Sequence, residues 1–147
     1  MNGPIVVGTD GSDTAKRAVN AAITLAKAFA QPLHIVSAYQ PQPAGAAVNV
    51  PHEYRDTIFP HSKVEAILAA ASGLTRVAGV KVKTHAKIGN PAEAILDVAE
   101  DVGADLIVVG SRGIDSKTRF VVGNVPSRVV HNATCSTFVV NTRHDDL

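Results

Sequence analysis

Residues 106–128 read LIVVGSRGIDSKTRFVVGNVPSR, and the fold turns on them. Leu106, Ile107, Val108 and Val109 are apolar without alternation. A run that short and uniform reads as a strand covered on both faces, as in a parallel sheet with helices on either side. It stops at Gly110; Gly113 follows, and Gly123 and Asn124 stand ten residues further on. Val125, Pro126 and Ser127 open a new apolar-periodic segment, with Pro126 in its first turn. Glycine in a strand-to-helix turn lets backbone N–H groups come close to an anion. A helix N-terminus adds orphan N–H donors and the positive end of a dipole. The spacing offers two sets of such amides, at Gly110 and Gly113 and at Gly123, Asn124 and Val125, joined by a polar excursion carrying Arg112, Lys117 and Arg119. Glycines after strands are equally often plain turn residues. Neither G-x-x-x-x-G-K-[ST] nor G-x-G-x-x-G is present.

Working outward, the same alternation of element types runs through the chain. Ile5, Val6 and Val7 form a short apolar strand that ends at Gly8-Thr9-Asp10-Gly11-Ser12-Asp13, where Ser12 or Asp13 caps a helix. Ala15, Ala18, Val19, Ala22, Leu25, Ala26 and Phe29 then recur at helical spacing, with charged residues between them. Gln31 and Pro32 stop that helix, and 33–39 (LHIVSAY) is a second strand. About 40–60 has four of the eight prolines and no sustained period, which predicts a flexible loop or a flap able to close through Tyr54 and Phe59. Val64, Ile67, Leu68, Ala71 and Leu74 mark a second helix. From 80 to 88 the pattern has period two: Val80, Val82, Thr84, Ala86 and Ile88 on one face, Lys81, Lys83, His85 and Lys87 on the other. A lysine-rich outer face is the mark of an edge strand facing solvent. Asn90-Pro91 begins a third helix with Ala92, Ile95, Leu96, Ala99 and Val102 inward, and Gly103 ends it. The strand at 106–109 follows, then a fourth helix from Val125 to about Asn132, a last strand at 137–141 and a frayed tail at 144–147.

Strands alternating with helices predict an α/β fold: a three-layer open sandwich around a five-stranded parallel sheet, helices on both faces, in one domain over 1–147. The third strand reads as an edge and the fourth as central, so the chain must cross over. The simplest order is 3-2-1-4-5, which sets strands 1 and 4 side by side with their helices leaving on opposite faces. Ligands of open α/β sheets bind at that switch point, beyond the carboxyl ends of the strands. The two loops meeting there are 8–13 and 110–113.

The opening V-G-T-D-G-S, the G-x2-G-x9-G tract running into V-P-S and the predicted architecture together resemble the universal stress protein family across essentially the whole chain. The resemblance implies an adenine-nucleotide site. In it Thr9 and Asp10 face the base or ribose, and Ala38, ending the second strand, contacts the adenine. Val109, Gly110, Arg112 and Gly113 line the ribose and first phosphates; Gly123, Asn124 and Val125 hold the distal ones. One departure matters: Asn124 stands where the family has Ser or Thr. Its amide is bulkier than a hydroxyl and is no hydroxyl ligand for Mg²⁺, which leaves a shorter or cyclic nucleotide such as cyclic AMP open beside ATP. The resemblance further implies a homodimer through the last strand, at Thr137, Phe138, Val139 and Val140.

Other chemistries have less support in the residues. Net charge is +1, from 14 basic and 13 acidic groups, which supplies no electrostatic footprint for nucleic acid or an anionic membrane. No apolar run reaches the roughly 20 residues of a membrane span, and nothing at Met1-Asn2-Gly3-Pro4 reads as a signal peptide, so a cytoplasmic address is expected. The single cysteine, Cys135, excludes an intrachain disulfide and reads as a small buried hydrophobe. The six histidines show no zinc spacing; His61 and Glu65 read as a surface pair one helical turn apart. No metal site and no catalytic residue is assigned. Asp10 reads as a ribose partner and Asp13 as a helix cap. The expectation is a nucleotide-binding stress-response or regulatory module with little or no turnover. The alternatives are an ATP-hydrolysing or nucleotide-transferring enzyme on the same site, and a dimeric interaction protein whose glycines are only structural.

Overall fold

The computed structural model describes residues 1–40, 60–111 and 123–142. Most of the expected 40–60 flap, with Tyr54 and Phe59, lies outside the described residues, as do Arg112, Gly113, Lys117, Arg119 and the tail at 143–147.

The strands are β1 (Ile5–Gly8), β2 (Leu33–Tyr39), β3 (Val82–Ile88), β4 (Leu106–Gly110) and β5 (Ser136–Val140). The helices are α1 (Asp13–Phe29), α2 (Pro60–Val77), α3 (Pro91–Val102) and α4 (Asn124–Asn132). The sheet is parallel throughout, in the order β3-β2-β1-β4-β5. β4 is central, between β1 and β5, and its two faces enter two different cores. Leu106 and Val108 join Val19, Ile23, Ile35 and Leu68 under α1 and α2. Ile107 and Val109 join Val6, Val36, Ile95, Val98 and Val129 under α3 and α4. An unalternating apolar run is what such a strand requires, because neither face reaches water.

Helix ends follow local chemistry. Ser12, in extended backbone, caps α1 by accepting the N–H of Ala15 at 3.1 Å. Asp13 is therefore the first helical residue and not the cap; it pairs with Lys16 at 3.4 Å on the surface. Asn90 caps α3, its Oδ1 accepting the N–H groups of Ala92 and Glu93. Gly103 closes α3 in the left-handed region at φ 65°.

Two helices orient differently from their apolar spacing. In α2 the inward stripe is Val64, Leu68, Ala71, Ser72 and Thr75, and Leu74 is 51% exposed. Leu74 sits at the margin of that stripe, about 100° from Thr75 around the helix. Thr75 takes the buried position because its hydroxyl donates to the carbonyl of Ala71 at 2.8 Å, so no polar atom is left unsatisfied. Phe29, on the inward spacing of α1, is exposed at the last residue of that helix, where the chain turns away through Ala30 at φ 53°. Cys135 is half-buried against the second core, and burial, with the charge of Asp105, pushes its thiol pKa up.

Candidate functional site

The β1–β4 junction is built from short-range rules. β1 pairs with β4 from Ile5 opposite Leu106 to Val7 opposite Val108. Continued by one or two residues, that register sets Gly8 beside Val109 and Thr9 beside Gly110. The helices that follow leave on opposite faces of the sheet: α1 over the first core, α4 over the second. The crevice expected at the carboxyl ends of β1 and β4 is thus a feature of the topology.

On the β1 side the loop is held by its own polar atoms. The N–H of Thr9 still donates to Val36 on β2 at 2.9 Å. The N–H of Gly11 donates to Thr9 Oγ1 at 3.1 Å, and the N–H of Ser12 to Asp10 Oδ1 at 2.9 Å. The Ser12 hydroxyl also donates to Asp10 Oδ1. Asp10 is exposed, its carboxylate anchored from within the loop. Two glycines here have steric duties. Gly8 lies against Ile95 of α3, whose side chain fills the space a Cβ would take. Gly11 has φ +80°, and a Cβ on it would meet Ile67 of α2 at 2.7 Å.

On the β4 side the described residues are Gly110, Ser111 and then Gly123 onward. Ser111 was not among the expected site residues, yet it joins three segments. Its N–H donates to Val140 at 2.8 Å, its carbonyl accepts the N–H of Gly123 at 2.9 Å, and its Oγ accepts the N–H of Thr142 at 3.1 Å. Its hydroxyl also lies 3.3 Å from Thr142 Oγ1. This clasp brings Gly123 back to the tip of β4 and fixes where α4 starts. A serine between two glycines, as in G-S-R-G, was the only local sign of it.

Gly123, not Asn124, is the N-cap of α4. Its backbone is extended (φ −61°, ψ 167°), and the helix begins at Asn124 with no side-chain cap. Asn124 therefore does not replace a capping hydroxyl; it is an exposed residue in the first turn, beside half-buried Val125 and buried Pro126. That turn supplies N–H donors without acceptors inside the helix. Gly123 itself is under no conformational constraint. A Cβ there would meet Ser111 O at 3.4 Å and Pro126 Cδ at 3.6 Å, ordinary contacts.

Of the expected site residues, Thr9 and Asp10 lie at the end of β1 and Val109 and Gly110 at the end of β4, and Gly123 is tied to that end through Ser111. Asn124 and Val125 follow in the first turn of α4. Val109 is buried in the second core, so backbone is what it can offer a ligand. Ala38 stands near the end of β2, half-buried on the α3 side of the sheet. Arg112 and Gly113 lie outside the described residues.

A model described as the universal stress protein family matches residues 1–141. Universal stress protein Rv1636 of Mycobacterium tuberculosis H37Rv is 35% identical over 140 residues, covering 94% of this chain and 95% of the relative. Universal stress protein YxiE of Bacillus subtilis 168 is 32% identical over 147 residues, covering 95% of this chain and 99% of its own. Among solved structures, a universal stress protein in complex with cAMP is 30% identical and superposes with a TM-score of 0.74, over 96% of this chain and 98% of that one.

Proposed function

The chain belongs to the universal stress protein family, and from that premise we propose that it binds an adenine nucleotide at the carboxyl ends of β1, β2 and β4. In this reading Thr9, Asp10 and Ala38 meet the base and ribose. Val109, Gly110, Arg112 and Gly113 line the ribose and first phosphates, and Gly123, Asn124 and Val125 take the outer ones. The observation that carries it is Gly123. Neither backbone angle nor packing requires glycine there, and its missing side chain leaves the approach to the first turn of α4 open to an anion.

The ligand is ATP or a related adenine nucleotide, and cyclic AMP has specific support from the relative solved with cAMP. Mg²⁺ accompanies the nucleotide if the ligand is a triphosphate. The protein acts as a cytoplasmic regulatory or stress-response module with little or no turnover. Asp10 is the carboxylate at the crevice, and its Oδ1 already accepts two hydrogen bonds from Ser12. A carboxylate fixed in this way within its own loop suits a hydrogen-bonding partner for a ribose hydroxyl. The assembly is a homodimer through β5, an edge strand on which Phe138 and Val139 are 46% and 38% exposed.

Titration calorimetry with ATP, ADP, AMP and cyclic AMP tests the site, together with identification of the nucleotide that co-purifies. Gly123→Ala should weaken binding at least about tenfold, because the added methyl group would hold an anion off the N–H groups of Asn124 and Val125, while leaving the unfolding midpoint nearly unchanged. Absence of binding to all four nucleotides at millimolar concentration, or an unchanged affinity in Gly123→Ala, would remove the assignment.

A further inference from the structure

One polar contact on the sheet belongs to no part of the crevice. His34, the second residue of β2, is 8% exposed, and its Nδ1 lies 2.9 Å from Nε2 of His85 on β3. The ring centroids are 5.1 Å apart, with the planes tilted by 31°. The strand register explains the meeting: His34 stands opposite Lys83 and His85 opposite Val36, so the two rings are diagonal neighbours on one face. That is the α3 face. The elements around them supply few charges. β1 sets Val6 opposite His34, and the buried side of α3 is Ala92, Ala94, Ile95, Val98 and Ala99. Lys83 and Lys87 of β3 oppose a proton on the pair, and Asp101 of α3 favours one on His85.

We infer that the His34–His85 contact is an acid-sensitive latch that holds the edge strand β3 onto β2 when the rings are neutral and releases it when both are protonated. In the neutral pair one ring N–H donates to the lone pair of the other. One added proton still leaves a donor facing an acceptor. A second turns both facing nitrogens into N–H groups, and two positive rings 2.9 Å apart, with His34 buried and His85 half-buried, repel each other. β3 is the element that yields, because it has a neighbour on one side only. Its far end is tied to the tip of β2 by the N–H of Gly89, which donates to Tyr39 O at 2.8 Å, and by Gln40 Nε2, which donates to Gly89 O at 3.3 Å. The latch is independent of whether a nucleotide binds.

The direction with pH follows from linkage. Burial comes first in lowering the pKa of both rings from 6.5; for His34 the next causes are His85 and Lys83, and for His85 they are Lys87 and Lys83, with Asp101 acting against them. Below about pH 6.5 the unfolded chain therefore holds more protons than the folded one. The stabilisation is complete above that pH and is lost as pH falls through the lowered folded values.

The test compares the wild-type chain with the double variant His34→Asn, His85→Gln. Asparagine sets an amide near the Nδ1 position and glutamine reaches the Nε2 position, so a hydrogen bond persists without titration. Urea unfolding between about pH 7.5 and about pH 5 should show the wild-type unfolding constant rising faster than the variant's, by up to about tenfold per pH unit for each histidine. Over the same range amide exchange across Val82–Ile88, corrected for intrinsic rates, should accelerate in the wild type beyond that of β1 and β4. NMR titration of the wild-type rings reads the same property with no variant. Ring pKa values below 6.5 support the latch; values at or above 6.5, or parallel stability curves for the two proteins, overturn it.

Discussion

Gly11 lies in the loop after β1 and Gly123 is tied to the tip of β4, and the two are glycines for different reasons. Gly11 is held at φ +80° with Ile67 close above it, so alanine there meets both a backbone penalty and a steric one. Gly11→Ala should lower stability by at least about 1–2 kcal/mol, read from urea midpoints, from the left-handed backbone alone. Gly123 has neither constraint, and Gly123→Ala should move the same midpoint by less than about 0.5 kcal/mol. The contrast separates folding from binding: a loss of nucleotide affinity in a Gly123→Ala protein of wild-type stability belongs to the ligand. Comparable destabilisation by both substitutions would show that Gly123 also serves the fold.

Elements fail at their ends, and the two most informative ends here are the start of α3 and the free edge of β5. Asn90 satisfies two N–H groups with one oxygen, so Asn90→Ala should cost about 1 kcal/mol. The chemical-denaturation midpoint should fall with an unchanged slope. On β5, Phe138 and Val139 point to opposite faces of the sheet and are both exposed, a pattern suited to cover by a second copy of the chain. A sedimentation mass of two chains is expected at micromolar concentration, with Val139→Asp reducing it to one. A single-chain mass for the unsubstituted protein would leave the edge without that partner.

A nucleotide bound only to the folded chain should stabilise the whole molecule. At a hundredfold excess over its dissociation constant the gain is about 2.7 kcal/mol, or roughly 5–10 °C in melting temperature for a chain of this size. Thermal melts with saturating ATP and with saturating cyclic AMP would rank the two ligands. A time course of product release with ATP and Mg²⁺ then bears on turnover. Release of much less than one equivalent per minute fits a binding module; many turnovers per minute would make the protein an enzyme.

The kinds of element, their succession and the order of the strands were legible along the chain. Those properties are written in local periodicity. Leu106, Ile107, Val108 and Val109 had to be covered on both faces, and alternating lysines had to lie at an edge. The crevice followed from that order, and with it the positions of Thr9, Asp10, Val109 and Gly110. Folding added what depends on register between distant segments. It joined Ser111 to Thr142 across 31 residues and His34 to His85 across 51. It gave Gly8 and Gly11 steric roles through Ile95 and Ile67, and it buried Thr75 in place of Leu74. It also set the start of α4 at Asn124, with Gly123 as the cap. The physical reason is common to all of these. Periodicity specifies which face of an element is apolar, whereas contacts across the sheet depend on how far each strand slides along its neighbour, and no single segment encodes that distance.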